Sequence, residues 1–143
     1  MDPLSVIASI TGILAVSAKI TKAATTFIRK ERAAPASINH IITELSDLSV
    51  CLAHFQSFIQ GADSIPVNQA DLISVEQVVI ISTSLVTSVS ELDELLESFR
   101  LDGSMSMSDR LRWLRKESSI QDILARIRVS KESLNLMVTI FSW

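Results

Sequence analysis

Side chains that could perform catalysis or bind a metal ion are few and poorly spaced in this sequence. His40 and His54 are fourteen residues apart, and neither belongs to the Glu-x-x-His pattern by which helical bundles hold metal ions. Cys51 is interpreted as a small buried apolar group, because His54, three residues on, is expected to face solvent. The glycines are isolated and no Gly-Lys-Ser/Thr run occurs, so a phosphate loop is absent from the pattern. The sequence therefore predicts a non-enzymatic protein without a metal or cofactor.

Charge is unevenly distributed along the chain, and the net charge of −3 argues against a nucleic-acid binder. Residues 1–32 contain five basic and two acidic residues, and residues 104–143 contain seven and four. Residues 33–103 contain one basic and ten acidic residues, including the cluster Glu91, Asp93, Glu94 and Glu97. The simplest interpretation of this cluster is a solvated helix face, and the alternative is a clamp on basic residues of a neighbouring helix.

A basic cluster surrounds Trp113 and comprises Arg110, Arg112, Arg115 and Lys116. Arginine and lysine beside an indole suit the interface of an anionic membrane, where cations meet headgroups and the ring lies at the boundary. The alternative is that Trp113 closes one end of a helical core while the arginines stay solvated.

The spacing of apolar residues predicts the elements that position these clusters. It indicates helices at about residues 3–30, 36–60, 69–100, 109–117 and 119–142. The third stretch is rich in β-branched residues, but its three-four spacing favours a helix. We expect Ser108 to cap the short helix and the pair Ser118-Ser119 to kink the chain after it. Short connections make sequential helices antiparallel neighbours. We therefore predict one all-α domain, residues 1–143, built as an up-down four-helix bundle with a short extra helix before the last long helix.

Residues 1–18 are the most unusual stretch, because no charged residue occurs between Asp2 and Lys19. Asp2 and Pro3 are suited to begin a helix with one broad apolar face. The opposite face is small at first, where Ala8 and Gly12 permit close backbone approach, and then cationic. One interpretation is a central bundle helix. The other is a helix that can enter a membrane, and a protein that switches could combine both.

A secretory signal is an alternative for the same stretch, since Val16, Ser17 and Ala18 resemble a cleavage site. Asp2 and the lack of basic residues before the apolar run argue against it. The single cysteine excludes an internal disulfide and fits a reducing, intracellular compartment. The chain stops at Trp143 without a capping residue, so we expect it to be a domain of a longer protein.

The opening MDPLSVIASITGILAVSAKI resembles the start of the HeLo-like N-terminal domains of fungal proteins. The resemblance continues at residues 44–56, 110–117 and 131–141 and covers essentially the whole chain. It implies a bundle related to HeLo and to the mixed-lineage kinase-like executioners. It also implies a cytoplasmic protein of regulated cell death in fungal immunity and heterokaryon incompatibility. Its partners would be a regulatory NLR or amyloid module, further copies of itself on activation, and an anionic plasma membrane to which it relocates.

The resemblance also assigns roles to residues. The membrane-inserting segment corresponds to Leu4, Val6, Ile7, Ile10, Gly12, Ile13, Leu14, Val16 and Ile20. Contacts with lipid headgroups are expected for Lys19, Lys22, Arg110, Arg112, Trp113, Arg115 and Lys116. The leading hypothesis is a pore-forming domain activated by oligomerisation of a C-terminal module. The alternative is a non-lytic helical adaptor that dimerises or binds a partner helix.

Overall fold

The computed structural model describes residues 3–31, 34–60, 75–99 and 105–141. Helices fill almost all of these ranges: α1 (Pro3–Lys30), α2 (Ala36–Gln60), α3 (Val75–Glu97) and α4 (Met107–Phe141). No described residue lies in a strand. The predicted all-α four-helix bundle is therefore confirmed, and the bounds of α1 and α2 coincide with the predicted ones. The predicted connection at residues 61–68 and the start of the third helix lie outside the described residues.

Helix α3 forms despite its many valine, isoleucine and threonine residues. Its buried side chains recur at helical spacing, from Val78 through Leu85 and Leu92 to Leu96. Burial of one continuous stripe outweighs the propensity differences between helix and strand, which amount to fractions of a kcal/mol per residue. For this helix, the spacing of the apolar residues therefore predicted the secondary structure correctly, whereas the strand propensity of its residues did not.

Helix α4 is one continuous helix of 35 residues, and the predicted break at Ser118 and Ser119 is wrong. A serine costs a helix only about 0.5 kcal/mol relative to alanine, and both serines are exposed. Trp113 and Ile120, on either side of the pair, are fully buried and keep the helix in one register on the core.

The capping residue of α4 also differs from the predicted Ser108. The Ser106 hydroxyl accepts a hydrogen bond from the Asp109 N–H at 3.1 Å. The Ser106 N–H in turn donates to the Asp109 carboxylate at 3.4 Å. This reciprocal pair satisfies backbone donors at the helix start, as a capping box does.

The four helices form a ring in the order α1, α2, α4, α3. Helices α1 and α4 each pack against α2 and α3, whereas α2 and α3 lie diagonally opposite. The expectation that all sequential helices are neighbours is therefore wrong for this pair. Fourteen residues of sequence separate the described ends of these two helices, more than the two to eight that usually join neighbouring helices of a bundle.

The core is built from one buried stripe of each helix. Its fully buried large side chains include Ile10, Phe27, Leu45, Leu92 and Trp113. At one end, Phe99 meets Trp113 edge-on with ring centroids 5.0 Å apart. The indole N–H of Trp113 donates to the Ser37 hydroxyl at 2.8 Å, so this end is closed by an aromatic pair with its polar atom satisfied.

A charged contact inside the ring fixes α2 against α4. The Glu44 carboxylate, 8% exposed, accepts hydrogen bonds from Lys131 at 3.0 Å and from Arg128 at 3.2 Å. Asp47 lies 3.9 Å from the same lysine but is 60% exposed. A buried carboxylate tolerates few alternative positions, so this contact sets the register between the two helices.

We predict that Glu44→Ala lowers the free energy of unfolding by about 2 to 3 kcal/mol, because the largely covered Lys131 keeps only the longer 3.9 Å contact with the exposed Asp47 among the described residues. Asp47→Ala is the matched control on the same helix and should change it by at most about 0.5 kcal/mol. Urea unfolding followed by circular dichroism measures both. Equal effects of the two substitutions would contradict the role of Glu44 in fixing α2 against α4.

Candidate functional site

The apolar stripe of α1 is the central part of the bundle core. Four predicted insertion residues, Val6, Ile10, Ile13 and Ile20, are at most 6% exposed. The remaining ones are less covered: Ile7, Leu14 and Val16 are half-buried and Gly12 is exposed, while the side chain of Leu4 lies outside the described part of the chain. Any membrane contact of this stripe therefore requires α1 to leave its neighbours.

Helix α1 is also the one helix in the described ranges that is long and apolar enough to cross a membrane. The qualifying stretch is Val6–Lys30, with a mean hydropathy of 1.5. Core helices of soluble proteins and signal sequences meet the same criteria, so the finding identifies a candidate and does not establish a span.

The opposite face of α1 is exposed, as its pattern predicts. Ala8, Gly12 and Ala15 face solvent, and a Cβ added to Gly12 would meet no atom within 4 Å. The close approach that Ala8 and Gly12 permit is therefore unused in this bundle. Beside Gly12, an apolar groove of about 260 Å³ opens between α1 and α3, with Val16, Val86 and Val89 among its lining residues.

Ser17 is a functional candidate that the sequence pattern did not reveal. It lies on α1, it is fully buried, and its Oγ has no hydrogen-bond partner among the described residues. A buried hydroxyl without a partner costs about 1 to 3 kcal/mol. In the sequence, Ser17 is one of several small residues of α1. Its burial follows from the positions of the neighbouring helices, which the sequence pattern does not give.

Lys19 makes the main charged contact between α1 and α3. Its ammonium lies 2.7 Å from the Glu97 carboxylate and 3.2 Å from that of Asp93. These hydrogen bonds, first from Glu97 and then from Asp93, raise the pKa of Lys19. The contact is therefore intact at neutral pH, and on the basic side it is lost as pH rises through the raised pKa of Lys19. Its 57% exposure makes it a weak, solvent-screened latch.

Most residues of the acidic cluster pair with basic residues of neighbouring helices, which is the second of the two interpretations of its sequence. Glu91 meets Arg126 of α4 at 2.6 Å, and this hydrogen bond lowers the pKa of Glu91 and raises that of Arg126. Three of the four acidic residues hold neighbouring helices, because α3 lies between α1 and α4 in the ring. The solvated-face interpretation also holds in part, because Glu91 and Glu97 are 45% and 61% exposed and Glu94 is exposed without an ion pair among the described residues.

Some side chains of the basic cluster contact other described residues, and others form no ion pair with them. Arg110 pairs with Glu31 at 3.3 Å, and Arg112 lies 4.7 Å from the centre of the Phe99 ring and donates to the Ser98 carbonyl. Trp113 is fully buried, so its predicted place at a lipid interface is wrong for this bundle. The alternative, in which it closes the end of the core, matches the structure.

Lys22, Arg115 and Lys116 are exposed and pair with none of the described residues. Cys51 is buried as predicted, and burial raises the pKa of its thiol, so the thiolate is disfavoured. His54 is exposed, also as predicted. Within residues 3–31, 34–60, 75–99 and 105–141, no group of three or more histidine, cysteine, aspartate or glutamate side chains could hold a metal ion.

Comparison of the chain with models of protein families, with curated proteins and with solved structures finds no match. The HeLo-like resemblance stays a prediction for this reason. The function has to be argued from α1: from the groove at Gly12 and the exposed Lys19 latch at its seam with α3, and from Ser17 within its buried stripe.

We predict that Ser17→Ala raises the free energy of unfolding by about 1 kcal/mol more than an ordinary serine-to-alanine change in a helix. The reason is that the variant removes a buried hydroxyl without a partner and loses no hydrogen bond. Ser46→Ala, at an exposed position of α2, supplies the reference for helix propensity. Urea midpoints at unchanged slope measure the difference, and a gain no larger than that of Ser46→Ala would contradict it.

Proposed function

We propose that this chain is a membrane-permeabilising effector domain whose helix α1 leaves the bundle on oligomerisation and enters an anionic bilayer. The observation that supports this most is the combination found in α1. The helix is long and apolar enough to cross a membrane, and its seam with α3 contains an open apolar groove and an exposed ion pair. Regulated cell death of the HeLo-like kind, with relocation from the cytoplasm to the plasma membrane, is the matching biological role.

Release of α1 is energetically feasible because its apolar stripe exchanges one apolar environment for another. Each square ångström reburied in lipid or in a neighbouring copy recovers about 25 cal/mol. The buried Ser17 and the exposed Lys19 latch add little to the cost of separation. Several released helices in one oligomer would bind a membrane far more tightly than one.

The rest of the bundle retains its specific contacts when α1 is removed. Helix α4 remains joined to α2 through Glu44 and Trp113 and to α3 through Arg126. Helix α1 lies diagonally opposite α4, and Arg110 is the described α4 residue that meets its C-terminal end, at Glu31. The three remaining helices therefore provide a scaffold on which further copies could assemble.

A non-lytic adaptor is the second candidate, and the groove at Gly12 supports it. Val86 is 42% exposed at this groove, and small side chains beside an apolar groove suit the docking of a partner helix. The adaptor needs no lipid and keeps α1 in place. The two candidates therefore differ in whether the exposed face of α1 ever meets hydrocarbon.

We predict that Ala15→Asp abolishes leakage of phosphatidylserine-containing vesicles by the chain fused to an oligomerising coiled coil. Ala15 is exposed in the bundle, so the fold tolerates the change. In an inserted helix the carboxylate would lie in hydrocarbon at a cost of about 2.5 to 3.5 kcal/mol, which lowers leakage tenfold or more.

Ala23→Asp is the matched control, since Ala23 is exposed on the same helix and lies beyond Ile20, the last residue of the predicted insertion segment, next to Lys22. It makes the same substitution at the same helix-propensity cost, and it should leave leakage within about twofold of the parent. Leakage that survives Ala15→Asp would overturn the insertion model. A parent fusion that forms clean oligomers and never releases dye would favour the adaptor.

A further inference from the structure

Helices α1 and α3 run in the same direction. Ser9 and Val86 line the same groove, and Lys19 meets Glu97 about three turns farther along both helices. The N-terminal parts of α1 and α3 therefore lie at the same end of the bundle. These parts contain no aspartate, glutamate, lysine or arginine: residues 3–18 and residues 77–90.

The other two helices bring uncharged residues to this same end. Helix α4 runs opposite to α3, so its later residues meet the earlier ones of α3, as Ser130 meets Ser84 at 3.4 Å. Helix α2 reaches the same level where the Cys51 thiol donates to the Lys131 carbonyl at 3.6 Å. The C-terminal parts of both helices also lack those four residue types: residues 48–60 and residues 133–141. We call these four ranges the uncharged end, and the ion pairs of the described residues all lie outside it.

Within the uncharged end, α1 forms no side-chain hydrogen bond with another helix of the described chain. Among residues 6–18, the side-chain hydrogen bond is the one from Thr11 to the Ile7 carbonyl, inside α1 itself. The groove of about 260 Å³ between α1 and α3 leaves part of this stretch without atoms to pack against. Ser17 is buried here without a hydrogen-bond partner among the described residues. Apolar contacts without a preferred direction therefore hold this stretch in place.

The C-terminal part of α1 is held by specific contacts with two helices. Lys19 pairs with Glu97 and Asp93 of α3. Directly after the helix, Glu31 pairs with Arg110 of α4 at 3.3 Å, and its side chain is only 14% exposed. A largely covered charge loses more than an exposed one when its partner is removed. Separation of this part therefore breaks oriented contacts, which separation of the N-terminal part does not.

We propose that the bundle opens first at its uncharged end, where residues 3–18 part from α2 and α3 while residues 19–31 stay packed. A detached stretch of this length is only marginally stable as a helix in water, so its backbone N–H groups become accessible. Ser17 gains water as a hydrogen-bond partner in the open form. The opening is a property of the free chain in water. It supplies a first step for the proposed function and does not depend on a membrane.

Native-state hydrogen exchange of the unfused chain tests the opening. Residues 10–16 and residues 24–28 are matched stretches, since both lie inside α1 and the second is closer to a helix end. We expect the amides of residues 10–16 to exchange as one group, about tenfold or more faster than those of residues 24–28. Their exchange should depend only weakly on urea, because a local opening exposes less surface than unfolding does.

Cross-links at two heights of the seam between α1 and α3 provide the control. In a Cys51→Ser background, a cleavable bis-maleimide joins either Ser9→Cys to Val86→Cys at the groove or Lys19→Cys to Glu97→Cys at the ion pair. The groove cross-link should slow exchange of residues 10–16 about tenfold, and its cleavage should restore the rate. The cross-link at the ion pair should leave that rate within about twofold of the same variant before cross-linking.

Three results would overturn the opening at the uncharged end. Equal exchange of the two stretches would show that α1 opens as one unit. Equal slowing by both cross-links would place the opening elsewhere. Exchange that slows residue by residue from the helix start would be ordinary fraying. Because none of these measurements uses vesicles, a parent fusion that never releases dye refutes the proposed function alone, and uniform exchange refutes this inference alone.

Discussion

The fold depends on covering one apolar helix. Helix α1 has no charged residue before Lys19, and burying each large side chain of its stripe contributes about 1.5 to 3 kcal/mol. Ile10 and Phe27 are covered almost completely, and α2 and α3 supply the cover because they are the ring neighbours of α1. Hydrophobic burial is non-directional. The constraint is therefore that the stripe be kept from water, and either protein or lipid can meet it.

The polar contacts decide which parts of the bundle separate. Between α2 and α4, the buried Glu44 and the Trp113 indole require specific partners, and removing either partner is costly. Between α1 and α3, the exposed Lys19 latch provides much less specificity.

The period of the apolar residues was enough to predict the helices, the bounds of α1 and α2, and which face of α1 is buried. It was insufficient for the neighbour order, because a pattern within one helix does not say which helix covers it. Ser118 and Ser119 were mistaken for a break, since the burial of Trp113 that overrides serine propensity depends on α2 and α3. The sequence around Ser17 and Glu44 did not indicate that these two polar side chains are buried.

A fluorophore on Ala15 tests the central claim, that α1 leaves the bundle for the bilayer, most directly. The label is attached to Ala15→Cys in a Cys51→Ser background and compared with a label at the exposed Ser46 of α2. In the resting bundle both labels are in water. On oligomerisation with phosphatidylserine vesicles, we predict that quenchers at the bilayer centre reach the Ala15 label and not the Ser46 label. Vesicle leakage with the Ala15 label still in water would contradict the account.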